Sequence, residues 1–294
     1  MFWQLLANGL VTGSVIAIAA VGISLVYGIL RLVNFAYGDY MAFGALAAYE
    51  FNGPLGLGIV VSVLLGMFAT AVLSVVLDVA LWRPLRARRA GFMSLFLASI
   101  GLALVLRQVL LLAYGPQPHE YKVNPYKVYV IGSVRLSEAQ FITIIVAAVA
   151  IIAIGVFLSR STIGRTMRAL SDDRALAAIA GINVGRVILY TWILSGLLAG
   201  LAGVLAGLIQ TSFNPNFGFQ LLLPVFAAVV LGGVGSAYGA LAGGLALGIA
   251  MELSTWPSLF GGVNPVYKPV VAFAVLIAAL MVRPQGLFGR ARFV

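Results

Sequence analysis

Asn34, Gly38 and Asp39 open a short apolar run, placing a carboxamide and a carboxylate within six residues of each other. Such groups are costly against lipid but suit the wall of a polar path, so the chemistry they offer is solvation of a solute in transit. Asn214-Pro215-Asn216-Phe217-Gly218 follows a later run much as Asn34-Phe35-Ala36-Tyr37-Gly38 follows an earlier one, which makes Phe217 and Gly218 the matching candidates. The competing reading of the first stretch is an interfacial loop. Bond-making chemistry has far less to work with. The chain has no cysteine and a single histidine, His119, too little for a thiolate site, a metal cluster or a catalytic triad. It also lacks a Gly-x-x-x-x-Gly-Lys-Ser/Thr phosphate loop, and no nucleophile, acid and base converge, so no catalytic residue, metal or cofactor is expected.

These residues sit in an almost wholly apolar chain. Hydrophobic residues make up 62% of the 294 and charged residues 9%, which excludes a water-solvated globule and points to an all-α polytopic membrane protein. About eight to nine spans of about 20 residues fill residues 1–294 as one integral-membrane domain. The net charge of +10 is carried by short loops beside the spans, where cations orient the chain against anionic membrane lipid, and no nucleic-acid partner is expected. Met1 to Gln4 lack a basic region and run directly into an apolar segment, which reads as a retained span.

Apolar runs fall at roughly 5–30, 38–52, 57–82, 92–113, 139–158, 188–210, 221–253 and 266–283. Two have unusual lengths, giving short or broken helices near 34–52 and 221–253. A single helix over 221–253 would reach about 50 Å against a hydrocarbon core of about 30 Å. Gly232, Gly233 and Gly235 interrupt it, so a hairpin turning near Ser236, with these glycines as turn or hinge, is expected. Arg83, Arg86, Arg88 and Arg89, the loop 159–186, and Arg283, Arg290 and Arg292 mark the cytoplasmic side. Counting crossings between them requires the hairpin and puts the N-terminus outside if the second run spans fully. The order long, short and polar-started, long, long then occurs twice, starting on opposite sides, which is the pattern of an inverted repeat in a transporter.

The loop 159–186 carries five of the 18 Lys and Arg residues and two of the eight Asp and Glu, a polar island. Within it Asp172 and Asp173 open, and Gly181 closes, a short amphipathic helix over Ala175–Ile182. This helix can lie in a groove of a cytoplasmic partner or on the membrane surface, and residue types favour neither. No run carries mid-span carboxylates in the manner of a proton relay, which favours an external source of power. Gly196, Gly200, Gly203 and Gly207 share one helix face, as do Gly235, Gly239 and Gly243, and are expected to allow close packing. Arg107 is expected to reach the outer surface from the end of its run, with a substrate-facing cation as the alternative, Asp78 to pair with Arg83, and Glu50 and Glu252 to be solvated. The polar segment 114–138, with His119, Glu120, Lys122 and Lys127, is read as an extracytoplasmic docking loop.

Asn34-Phe35-Ala36-Tyr37-Gly38-Asp39, Arg83-Pro84-Leu85-Arg86, Ala177-Ala178-Ile179-Ala180-Gly181-Ile182-Asn183, Ala227 to Ser236 and Gly286-Leu287-Phe288-Gly289 occur in this order along the chain. Together they resemble the ABC importer permeases for branched-chain amino acids, of the LivH type. The resemblance implies a membrane subunit in the bacterial inner membrane, working with a second related permease, two cytoplasmic ABC ATPases and an extracytoplasmic substrate-binding protein. It also implies that the loop with Ala177, Gly181 and Asn183 couples to the ATPases. The family usually has His-Gly-Glu where this chain has Tyr37-Gly38-Asp39, which removes a titratable group near the path. Other solutes of the wider group, such as urea, short amides or sugars, stay open as alternatives, as does an ATPase-independent carrier.

Overall fold

The computed structural model describes residues 1–123, 128–257, 262–283 and 285–288; Lys127, Gly289, Arg290 and Arg292 lie outside the described residues. The described chain is almost all helix. In order come α1 (Phe2–Leu30), α2 (Tyr37–Asn52), α3 (59–87), α4 (Phe92–Tyr114), α5 (Glu138–Arg160), α6 (Thr162–Asp172), α7 (Arg174–Ile179), α8 (Val184–Gln210), α9 (Phe217–Gly232), α10 (Ala237–Leu253) and α11 (Lys268–Val282). Six segments (α1, α3, α4, α5, α8 and Pro265–Val282, which holds α11) are long and apolar enough to cross a membrane, and α9 and α10 are shorter apolar helices. The expected runs are all present, and the chain is a multi-pass membrane protein.

Side-chain size decides which helices are central. α1 and α8 are rich in Gly and Ala, so neighbouring backbones approach them closely, and both are buried over most of their length. Against them lie α2, α3, α9 and α10, while α4, α5 and α11 turn Val, Leu, Ile and Phe outward. The packing crosses between the halves of the chain. Gly9 and Gly13 of α1 meet Ile249 and Leu245 of α10, and Gly196 and Gly200 of α8 meet Ala71 and Met67 of α3. Each half thus lends its first long helix to the third helix of the other, as an inverted repeat requires.

Sidedness follows from the ends of α1. Gln4 and the Arg135 backbone exchange hydrogen bonds of 2.8 and 2.7 Å, joining the N-terminus to a hairpin of Val128–Ile131 and Val134–Ser137. At its other end Gly28 faces Ser171 of α6. The N-terminus therefore shares the side of the 114–138 segment, opposite the 159–186 segment. Gly233 and Gly235, at φ 101° and 88°, make the turn between α9 and α10, and Ser236 caps α10.

Asp78, Glu252 and Asp172 depart from expectation. Asp78 pairs with Arg86 at 2.6 Å rather than with Arg83. Pro84 cannot donate to Ala80, and the ladder passes this point as a π turn over Asp78–Trp82, which alters the helical phase on which the nearer pairing was counted. Glu252 is buried, with Lys268 Nζ at 2.6 Å and Thr12 Oγ1 at 3.3 Å, because α1 and the start of α11 cover the outer end of α10. Asp172 ends α6 instead of opening the next helix.

Candidate functional site

Two short helices of 16 residues each, α2 and α9, begin with the same local chemistry. The Ala36 N–H donates to Asn34 Oδ1 at 3.1 Å, and the Asn216 N–H donates to Asn214 Oδ1 at 3.0 Å. The carbonyls of Asn34 and Asn214 accept from the N–H groups of Tyr37 and Phe217. Asparagine suits this turn because its side-chain oxygen takes the place of a backbone acceptor two residues back. The two N-termini then meet at Gly38 and Gly218. A methyl group on Gly38 would lie 2.5 Å from the Gly218 carbonyl oxygen, and one on Gly218 would fall on the Gly38 carbonyl. Two positive helix ends are so brought together where the halves of the repeat cross.

One residue beyond that crossing stand Asp39 and Phe219, at equivalent positions of the repeat. Asp39 is 1% exposed, and Arg107 Nε of α4 donates to its Oδ1 at 3.2 Å. The same guanidinium lies over the Phe219 ring, 4.3 Å from its centroid. Arg107 therefore turns inward to bind both halves at once and does not extend to the outer surface. A charged partner and an aromatic face within reach of its flexible stem decide its direction.

The other expected pathway residues divide. Asn34 is buried, and its Nδ2 has no hydrogen bond among the described residues. Tyr37 is packing: its hydroxyl donates to the Ser195 carbonyl at 3.3 Å, and a methyl on Gly22 would collide with it. Phe217 is also buried, its ring tilted 56° against that of Phe213, which meets Tyr121. Phe219, two residues on, is 43% exposed.

Beneath this crossing lies a buried polar cluster that the sequence reading missed. Trp82, in the π turn of α3, stacks on Trp192 of α8 with centroids 6.0 Å apart and planes 9° from parallel. Ser74 Oγ donates to the Trp192 carbonyl at 2.9 Å, and Tyr40 of α2 faces Trp82 and Asn34. The two tryptophans, each alone in an apolar sequence run, were the available signal.

At the end of the bundle opposite the N-terminus, α6 and α7 carry the polar island. Gly164, Met167 and Leu170 seat α6 against the protein. Asp173 caps α7, accepting from the N–H groups of Ala175 and Leu176 at 2.8 and 3.0 Å. Ala177 is buried while Leu176 and Ile179 are 66% and 85% exposed. Gly181, at φ 83°, ends the helix, and Asn183 Oδ1 accepts from the Arg186 N–H to start α8. The glycine turn at 232–235 is held rather than loose: Leu287 and Phe288 donate to the carbonyls of Leu231 and Gly232 at 2.8 and 3.0 Å. Among the described residues no cluster of His, Asp and Glu could hold a metal.

An inverted pair of helical units, with half-length helices meeting inside the bundle and an amphipathic segment at one end of it, is the architecture of a membrane transport permease. The family described as the branched-chain amino acid transport system permease component matches residues 5–280, and the chain belongs to it. It is 32% identical to the high-affinity branched-chain amino acid transport permease BraD of Pseudomonas aeruginosa, over 98% of this chain and 96% of that protein. To LivH of Escherichia coli K12 it is 33% identical over 98% and 96%. Among solved structures, PsaBC from Streptococcus pneumoniae in complex with Fab is similar in fold, with a TM-score of 0.51 and 17% identity over 97% of this chain and 94% of that one.

Proposed function

We propose that this chain is the permease subunit of an ATP-driven ABC importer for branched-chain, hydrophobic amino acids. It works with a second related permease, two cytoplasmic ABC ATPases and an extracytoplasmic substrate-binding protein. Asn34, Gly38, Asp39 and Gly218 line the path, and Asp173, Ala177, Gly181 and Asn183 shape the segment that meets the ATPases. The observation that carries this reading is the junction of α2 and α9, where two helix N-termini and the Asp39–Arg107 pair lie inside the bundle.

Power enters at α7, whose exposed Leu176 and Ile179 fit an apolar groove in a partner. Gly181 and Asn183 join α7 directly to α8. Along α8, Trp192 and Ser195 touch α3 through Trp82 and Ser74 and α2 through Tyr37. Movement of α7 is thus passed by packed side chains to the helix whose start meets Gly218. ATP hydrolysis by the partners switches which side the junction faces, and the permease itself makes and breaks no bond.

Purification of the tagged chain from its native host in mild detergent tests the assembly. Recovery of two ATPases and a second permease is the expected result. A chain that elutes alone and moves solute in liposomes without ATP would overturn the proposal.

A further inference from the structure

We infer that Asp39 and Arg107 form the place in the permease that reads the paired charges of an α-amino acid, Asp39 taking the ammonium and Arg107 the carboxylate. This rests on the substrate reading above and deepens it. The ion pair is incomplete on both sides. Asp39 is 1% exposed, yet only Oδ1 is engaged, through a single 3.2 Å bond from Nε, and the buried Oδ2 has no partner among the described residues. An arginine that only held a carboxylate in place would be expected to use its fork, with two parallel N–H···O bonds. Here the Nη edge of the guanidinium makes no hydrogen bond among the described residues, and the Arg107 side chain stays 15% exposed. A carboxylate oxygen without a partner, closed to solvent in this conformation, and a guanidinium edge without one, on the two members of one ion pair, are the complements of an ammonium and a carboxylate on one carbon.

The surroundings fit the rest of such a solute. Phe219 lies under the guanidinium and is 43% exposed, and Leu223, one turn further along α9, is 39% exposed. Together they offer an apolar surface for an aliphatic side chain. The α2 and α9 N-termini add their positive ends next to the carboxylate position. A neutral solute such as urea, an amide or a sugar gives no use for two opposite unsatisfied charges. Asp39 and Arg107 come from different helices and the Phe219 face from the other half of the repeat, so relative movement of α2, α4 and α9 in the transport cycle opens or closes the site.

The test uses the complete complex in proteoliposomes with its binding protein, and radiolabelled L-leucine. Wild-type uptake establishes the substrate reading; a wild type that takes up no leucine defeats that reading and, with it, this one. Given wild-type uptake, D39N, R107Q and D39N/R107Q are compared, with co-elution of the subunits reporting assembly. A purely structural pair predicts loss in the single variants, which strand one charge, and recovery in the double variant, which strands none. The zwitterion site predicts at least a tenfold loss in all three with no recovery in the double. Double-variant uptake within twofold of wild type overturns the inference. Should the double variant not assemble, R107K decides: it keeps the charge but loses the fork, and wild-type uptake by R107K would likewise overturn the assignment of Arg107.

Discussion

The exposed face of α7 yields a quantitative expectation for the ATPase contact. Leu176 and Ile179 are 66% and 85% exposed, so docking can remove most of each side chain from water. Full burial of a Leu or Ile side chain is worth about 1.5–3 kcal/mol, and scaling by exposure leaves roughly 1–2 kcal/mol for each. Truncation to alanine keeps the β-carbon, so L176A/I179A loses about 1.5–3 kcal/mol of binding, or roughly 10- to 150-fold in affinity. The permease itself should be untouched, because Ala177 and the Asp173 cap, which seat α7, are unchanged. Affinity for the purified ATPases is measured by surface binding of detergent-solubilised permease. Wild-type affinity in the double variant would refute the assignment of this face to the ATPases.

Further perturbations address the path and its connection to α7. G181P replaces a residue at φ 83° with one locked near −65°, and should abolish uptake and stimulation of ATP hydrolysis while membrane insertion, followed by fractionation, is retained. G218A puts a methyl group on the Gly38 carbonyl and forces α2 from α9; a loss of about 1–3 kcal/mol is expected in thermal unfolding of the complex, together with slowed uptake. D78N leaves Arg86 without its 2.6 Å carboxylate partner beside the π turn, and should lower the melting temperature more than D78N/R86Q does.

Much of the scaffold was readable from residue types. The long apolar runs, the overlong 221–253 stretch with its glycines, and the glycine face of the sixth run correspond directly to α9, α10 and the packing of α8, because span length and small-residue spacing are local properties. The paired asparagines at 34 and 214 were legible for the same reason. What could not be read depends on tertiary direction. Asp39, Arg107 and Phe219 are far apart in the chain, and nothing along α4 tells which way a long arginine leans. The Asp39–Phe219 equivalence puts a charge and a ring at matching positions, so residue types along the repeat do not reveal it. Glu252 was misread because the cover supplied by α1 and α11 is invisible in its own helix. The α6 segment is polar, and its order comes from contacts with the bundle such as Gly28 with Ser171, whereas the 128–137 hairpin had a local signal, Val128–Ile131 and Val134–Leu136 flanking Gly132-Ser133, that was passed over inside a segment read as a docking loop.

The most direct measurement is leucine accumulation in proteoliposomes containing the permease pair, the ATPases and the binding protein, with ATP supplied on the cytoplasmic side. Concentrative uptake that requires ATP and disappears in a variant lacking ATPase activity is the result this account predicts. Leucine movement that runs only down its gradient and ignores ATP would contradict it.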